Sequence, residues 1–359
     1  MVVVHHFAVI TRPFSNADSI LRYHYLADVG ASGVDIFFCI SGFVMMMVVA
    51  NLQAEGDGFR PLDFMLRRAI RILPMYWMLT TAFVALILIC DALNGRFASV
   101  IAMPLQPKFL TTSYLLLPSY IPGSKTIAPI LFQGWTLSYE FYFYLAVAVS
   151  ACFLKRLSYI ALALTAEIAG PLIASRVLPP SGLAIQTFLS NAIVCEFLLG
   201  AGIFLLVRSG RKFPRSCALV GAGGLLATIY LPALHGHRAL LWGIPAALIV
   251  LGMVTGDVKL RESGLLMRLG NASFSIYLLH LLPLYLYGAL LLSGDLVGNR
   301  AQYLAIAISV MTTVLVGMAV YQWIEKPVTA RLNDLYRERM RHCQAIKVQP
   351  DSVPRSFIL

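Results

Sequence analysis

The chain has 359 residues, 59% of them hydrophobic and 13% charged, with a mean hydropathy of +0.77. A water-soluble domain carries about a quarter charged residues, so this composition excludes an ordinary globule and indicates a membrane protein. The formal charge of +11 does not call for nucleic acid as a partner, because most Lys and Arg fall in the short connections between apolar runs.

Those runs are about 20 residues long, the length a helix needs to cross ~30 Å of hydrocarbon; barrel strands would be half as long and would alternate. In chain order they are Met1–Ile10, Ser32–Asn51, Leu73–Ala92, Gln133–Leu154, Leu157–Ser175, Ile185–Val207, Ser216–Ala233, Ala239–Thr255, Met267–Leu292 and Gln302–Trp323. The expected architecture is all-α, a polytopic integral membrane helical bundle of about ten transmembrane helices. At 1.5 Å per residue, Met1–Ile10 covers about half a bilayer, so the first helix reads as truncated or as starting upstream of Met1. Residues 1–330 form the transmembrane domain and 331–359 a basic tail.

Twenty of the 28 Lys and Arg lie in the loops at 60–71, 155–156, 208–215 and 259–268 and in the tail. The positive-inside rule makes that side, and both termini, cytoplasmic. It places His5 and His6 near the outer end of the first helix and Glu140 in the outer half of the fourth. The proline-containing connection from about Leu93 to Phe132 cannot be one helix; its apolar piece Leu110–Pro118 either covers a cavity or is a surface loop. The six cysteines are widely spaced and suggest neither a disulfide framework nor a metal site.

Glu140 is the chief anomaly. A carboxylate in an apolar helix costs roughly 2.5 to 3.5 kcal/mol on the insertion scale, so it lines a polar cavity or has a partner. His5 and His6 offer a general base at near-neutral pH, or interfacial side chains. Asp35 opens the second helix as a cap or a cavity residue, and Ser41-Gly42 serves close packing or a site. Arg67, Arg68 and Arg71 share one side of a helical turn and suit phosphate binding, although a positive-inside anchor accounts for such clusters too. His280, with Ser273 and Tyr277 on about the same face, lines a cavity or makes interhelical hydrogen bonds. Glu325-Lys326-Pro327 reads as a structural stop.

Five motifs in order resemble the acyltransferase 3 family of bacterial membrane O-acyltransferases: G-V-D-I-F-F-x-I-S-G-F at 33–43, R-R-x-x-R-I-x-P-x-Y-W at 67–77, W-T-L-S-Y-E-x-Y-F-Y at 135–144, S-F-S-I-Y-L-L-H at 273–280 and E-K-P at 325–327. The segment at 135–144 looks most like the ExoZ-type branch that acetylates exopolysaccharides. The resemblance implies a bacterial inner-membrane enzyme that moves an acyl group, acetyl above all, from acetyl-CoA or another acyl-CoA to a carbohydrate hydroxyl, with no metal. The family's first-helix histidine matches His6, with His5 just before it, and the family's Arg would fall upstream of Met1. The Arg67, Arg68 and Arg71 cluster matches the region associated with donor use.

On this reading His6, or His5 if the register shifts by one, takes the proton of the acceptor hydroxyl. Glu140 would orient that imidazole, and Tyr139, Ser41 or His280 would donate to the oxyanion. The rivals are a transporter or flippase for a lipid-linked sugar and an inactive truncated paralogue.

Overall fold

The structure, a computed structural model, describes residues 1–11, 29–54, 58–92, 103–230, 238–255, 264–285 and 299–348. It is built of helices: α1 (Val2–Thr11), α2 (Gly33–Ala54), α3 (Pro61–Ala92), α4 (Pro107–Tyr114), α5 (Gly134–Phe153), α6 (Leu157–Val177) and α7 (Ala184–Leu189). After a 3-10 turn at Ala192–Val194 come α8 (Cys195–Arg208), α9 (Ser216–Ala227), a π-turn at Ala239–Gly243 and α10 (Ile244–Val254). The chain ends with α11 (Leu265–Asn271), α12 (Ser273–Leu279), α13 (Asn299–Val320), a π-turn at Tyr321–Glu325 and α14 (Lys326–Val348).

Among the described residues, five helices are long and apolar enough to cross a membrane: α2, α3, α5, α6 and the run Ala307–Arg341; α11 with Ser273–Tyr285, bent by 58°, adds a sixth. The expected ten are not reached among the described residues, for local reasons. The run 185–207 breaks into α7, a 3-10 turn and the 14-residue α8, and the apolar helices Ser216–Tyr230 and Ala239–Val254 are shorter than a span.

Two expectations about helix limits are corrected. The third span starts at Pro61 rather than Leu73, so Arg67, Arg68 and Arg71 sit within a 32-residue helix that continues through Pro74. At Glu325 the chain does not stop: α13 widens into a π-turn, in which the Lys326 N–H bonds the Tyr321 carbonyl, and the helix runs on as α14 with Pro327 inside the continuous run. The helix also passes residue 330 without a break.

Hydrocarbon competes for apolar side chains, so close backbone approach and interdigitation hold such helices together. At the crossing of α2 and α8, a Cβ on Gly42 would collide with the Phe197 carbonyl, and one on Gly200 with the Cys39 carbonyl. The Phe197 ring stacks on Phe38 at 4.3 Å and on Phe143 at 4.4 Å, which ties α2, α8 and α5 together. Helices α3 and α5 run antiparallel, since Phe64 meets Tyr144 while Tyr76 lies against Gly134. The segment 107–131 packs on this pair: the Tyr76 hydroxyl donates to the Ser113 carbonyl at 2.7 Å, and Phe109, Ile130 and Leu131 are buried. It is a packed cover over the middle of α3 and the start of α5 rather than a surface loop. Part of the expected connection, residues 93–102, lies outside the described residues.

Candidate active site

Glu140 stands almost two turns into α5, 6% exposed. Its carboxylate accepts hydrogen bonds from the Tyr144 hydroxyl one turn on and from Ser41 Oγ on α2, the latter at 3.4 Å. Ser41 therefore serves the site while its neighbour Gly42 serves the helix crossing. Beside the carboxylate is a cavity of about 300 Å³ whose polar lining includes Ser41, Arg68, Arg71, Thr136, Tyr144 and Tyr277. The guanidiniums of Arg68 and Arg71 attract the carboxylate. Arg68 lies over the rings of Phe64 and Tyr144, at 5.6 and 6.0 Å, and its Nε is buried without a hydrogen-bond partner. As a lining residue Arg68 offers the cavity guanidinium donors and no acceptor, which suits a ligand oxygen.

The histidines form a second group. His6 Nδ1 lies 3.0 Å from His280 Nε2 and 3.1 Å from the Val2 carbonyl, while His280 Nδ1 bonds the Tyr277 carbonyl. The tautomers follow from these partners. A carbonyl only accepts, so a neutral His280 carries its proton on Nδ1 and accepts at Nε2; His6 must then donate from Nδ1, which leaves His6 Nε2 with a free lone pair. His280 is thus the group that orients His6, with the Phe132 ring edge-on to the imidazole at 6.3 Å.

This arrangement corrects the expected pairing of His6 with Glu140: the hydrogen-bond partners of the carboxylate are Tyr144 and Ser41, and those of the imidazole are Val2 and His280. What links the two groups is Tyr277. Its hydroxyl bonds Thr136 Oγ1 at 2.8 Å and the Gln133 carbonyl at 3.1 Å on the cavity side, while its own carbonyl holds His280. His5 meets the His6 ring edge-on at 5.2 Å.

Three other expected site residues lie elsewhere. The Asp35 carboxylate is fully buried in an ion pair with Arg238, at 2.7 and 3.2 Å, and is absent from the cavity wall. The Tyr139 hydroxyl donates to the Phe188 carbonyl at 3.0 Å and its ring stacks on Phe188 at 4.0 Å, on the side of α5 away from Glu140. Arg67 leaves Arg68 and Arg71 and sits over the Tyr336 ring at 5.6 Å, lining a separate pocket.

The acyltransferase domain family matches residues 1–321. The chain belongs to the acyltransferase 3 family. Its relatives include the exopolysaccharide production protein ExoZ of Rhizobium meliloti (strain 1021), 32% identical over 314 residues that cover 84% of this chain and 90% of the relative. The acyltransferase MdmB of Streptomyces mycarofaciens is 27% identical over 325 residues, covering 82% and 78%. A membrane-bound transacylase named BcsY in Komagataeibacter xylinus is 26% identical over 271 residues, covering 70% and 65%. No solved structure matches.

Family membership and the apolar helices together make the chain a multi-pass membrane acyltransferase. Within that frame the sequence reading took Glu325 for a structural stop and passed over Glu196 and Arg238. Glu325, 8% exposed, is turned inward by the π-turn to accept a hydrogen bond from Ser275, and its charge is felt by Arg71. Glu196, fully buried at the start of α8, stands beside Asp35, and neither of its oxygens accepts a hydrogen bond. Its signal was the one that singled out Glu140, an acid within an apolar run.

Proposed function

We propose that this acyltransferase moves an acyl group, acetyl above all, from acyl-CoA to a hydroxyl of a cell-surface or exported polysaccharide. The observation that carries the proposal is the cavity in which Arg68 and Arg71 face Glu140, with Tyr277 in its wall joined through its carbonyl to the His280–His6 pair, where His6 Nε2 carries the lone pair. The acceptor class rests on the exopolysaccharide relative. The charge distribution supports a cytoplasmic-membrane protein with both termini in the cytoplasm.

In this mechanism His6 Nε2 takes the proton of the acceptor hydroxyl as its oxygen attacks the thioester carbonyl. The C–O bond forms, the tetrahedral intermediate collapses, the C–S bond breaks, and the imidazolium returns its proton to the departing thiolate. Negative charge on the carbonyl oxygen is met by donors already in the wall, the guanidiniums of Arg68 and Arg71 first among them, because preorganised donors cost no reorganisation at the moment of reaction. His280 positions the base. Glu140 holds Tyr144 and Ser41 and balances two arginines that would otherwise repel one another.

Membranes carrying the protein, supplied with radiolabelled acetyl-CoA and a candidate polysaccharide, are expected to place label on the acceptor. His6→Ala should lower the rate by about 10²- to 10⁴-fold, the usual worth of a positioned base, with protein level unchanged. Full activity in that variant overturns the assignment of the base, and movement of a lipid-linked sugar without acylation favours the transporter reading.

A further inference from the structure

A second pocket lies between the start of α3 and the far half of α14. Its volume is about 250 Å³, and among the described residues Arg60, Arg67, Arg337 and Arg341 line it with Asp63 as the one carboxylate in the wall. Tyr336, Arg337, Met340 and Arg341 fall on one side of α14 because they recur at intervals of one and four. The residues of α14 that build half the pocket all follow residue 321, where the match to the acyltransferase domain ends.

Anchoring by the positive-inside rule requires basic residues on one side of the membrane but no concave arrangement of them. Here guanidiniums from two helices some 270 residues apart in sequence converge on one space, and the pairings present leave them in excess. Arg60 meets Asp63 at 3.9 Å, and Arg337 meets Asp334, outside the pocket wall, at 3.6 Å. Arg67 rests on the Tyr336 ring, which fixes a long side chain at the pocket wall. Forked guanidiniums around a space that holds about eight waters, at ~30 Å³ each, match the several acceptor oxygens of a phosphate group.

The pocket also adjoins the active-site cavity. Phe64 lines it, and the same ring lies under Arg68 and edge-on to Tyr144, both of which line the cavity beyond.

We propose that this pocket is a phosphate-binding site, filled either by the headgroup of an anionic lipid or by the phosphorylated nucleotide end of the acyl donor. The lipid source is independent of the donor assigned above. The nucleotide source rests on acyl-CoA being that donor.

The test uses the full chain in nanodiscs and the double variant Arg337→Gln/Arg341→Gln, which leaves Arg67, Arg68 and Arg71 in place. Binding of coenzyme A and of 3′-dephospho-coenzyme A is measured alongside retention of phosphatidylglycerol over phosphatidylcholine. A rise of about tenfold or more in the Kd for coenzyme A, with a smaller rise for the dephospho form, supports the nucleotide source. Loss of selective phosphatidylglycerol retention with coenzyme A binding unchanged supports the lipid source. If neither changes in a folded variant, the arginines are a topological anchor only and the proposal is overturned. Arg341→Gln alone, at the exposed end of the set, should shift the same readout in the same direction, and it serves if the double variant does not assemble. The His6→Ala assay decides the acyl-transfer reading separately, so failure of one leaves the other standing.

Discussion

Glu140 and the Asp35–Glu196 pair are the same kind of anomaly in the sequence, acids inside apolar helices, yet they end in opposite circumstances. Glu140 faces a cavity and is held by hydroxyls, with two arginines nearby that remain open to a ligand. Asp35 gives its carboxylate to Arg238 in a packed contact, and Arg238 lies over the Trp242 ring at 4.7 Å. A buried acid in a membrane helix therefore marks a site only when the space around it is open. When a cation fills that space, the acid is an internal strut.

The sharpest way to break this distinction is to remove the cation. Arg238→Ala leaves Asp35 buried without its counter-ion, and removing one partner of a buried pair typically costs about 3 to 5 kcal/mol; the lower end applies because the Arg238 side chain is 32% exposed. Thermal unfolding in detergent should show that loss, while acyl transfer per folded molecule stays near wild type. A variant that is stable and catalytically dead would move Asp35 and Arg238 into the active site.

Glu140→Gln should do the converse. It removes the charge that strengthens the bonds from Tyr144 and Ser41, worth about 1.5 to 3 kcal/mol with an ionised partner against about 1 without, so the melting temperature should fall modestly and transfer per folded molecule about 10- to 100-fold. Equal activity would make Glu140 a strut as well. Tyr277→Phe deletes the hydroxyl bonded to Thr136 but keeps the backbone carbonyl that holds His280, so a milder loss of about fivefold is expected, the worth of one neutral hydrogen bond near 1 kcal/mol. The smallest effect belongs to Glu196→Gln. The Glu196 and Asp35 carboxyls lie side by side and can share a hydrogen bond only when one of them holds a proton, whereas an amide at 196 supplies that donor without one, so stability should be unchanged or slightly raised. A marked loss of activity there would show that Glu196 belongs to the site.

Much of the site could be read from the chain because its residues stand in local motifs. Glu140, Ser41, Arg68, Arg71 and Tyr277 were each singled out by type and spacing, and the cavity brings them together. What spacing could not supply was which partner each long side chain meets. Helical phasing puts Arg67 on the side of Arg71, yet the Tyr336 ring, some 270 residues on, draws it away. The pairing of His6 with His280 spans 274 residues and left no trace in either segment's own pattern. The length of α3 was underestimated because hydropathy starts the span at the first uninterrupted apolar run, whereas a helix carries its arginines inside when they face a cavity or a second helix. The π-turn at Tyr321–Glu325 inserts its extra residue without a distinctive residue type, so Glu325 read as the end of a helix rather than as an acid turned inward.

Tyr277 touches the cavity with its side chain and the histidine pair with its backbone, and it sits on the longer arm of a helix bent by 58°. A rigid tilt of that arm would carry the hydroxyl and the carbonyl together, like two teeth on one gear. The spacing between the Tyr277 hydroxyl and His280, the residue that orients the base, would then survive a tilt of that arm. Loss of alignment would require distortion within a single residue.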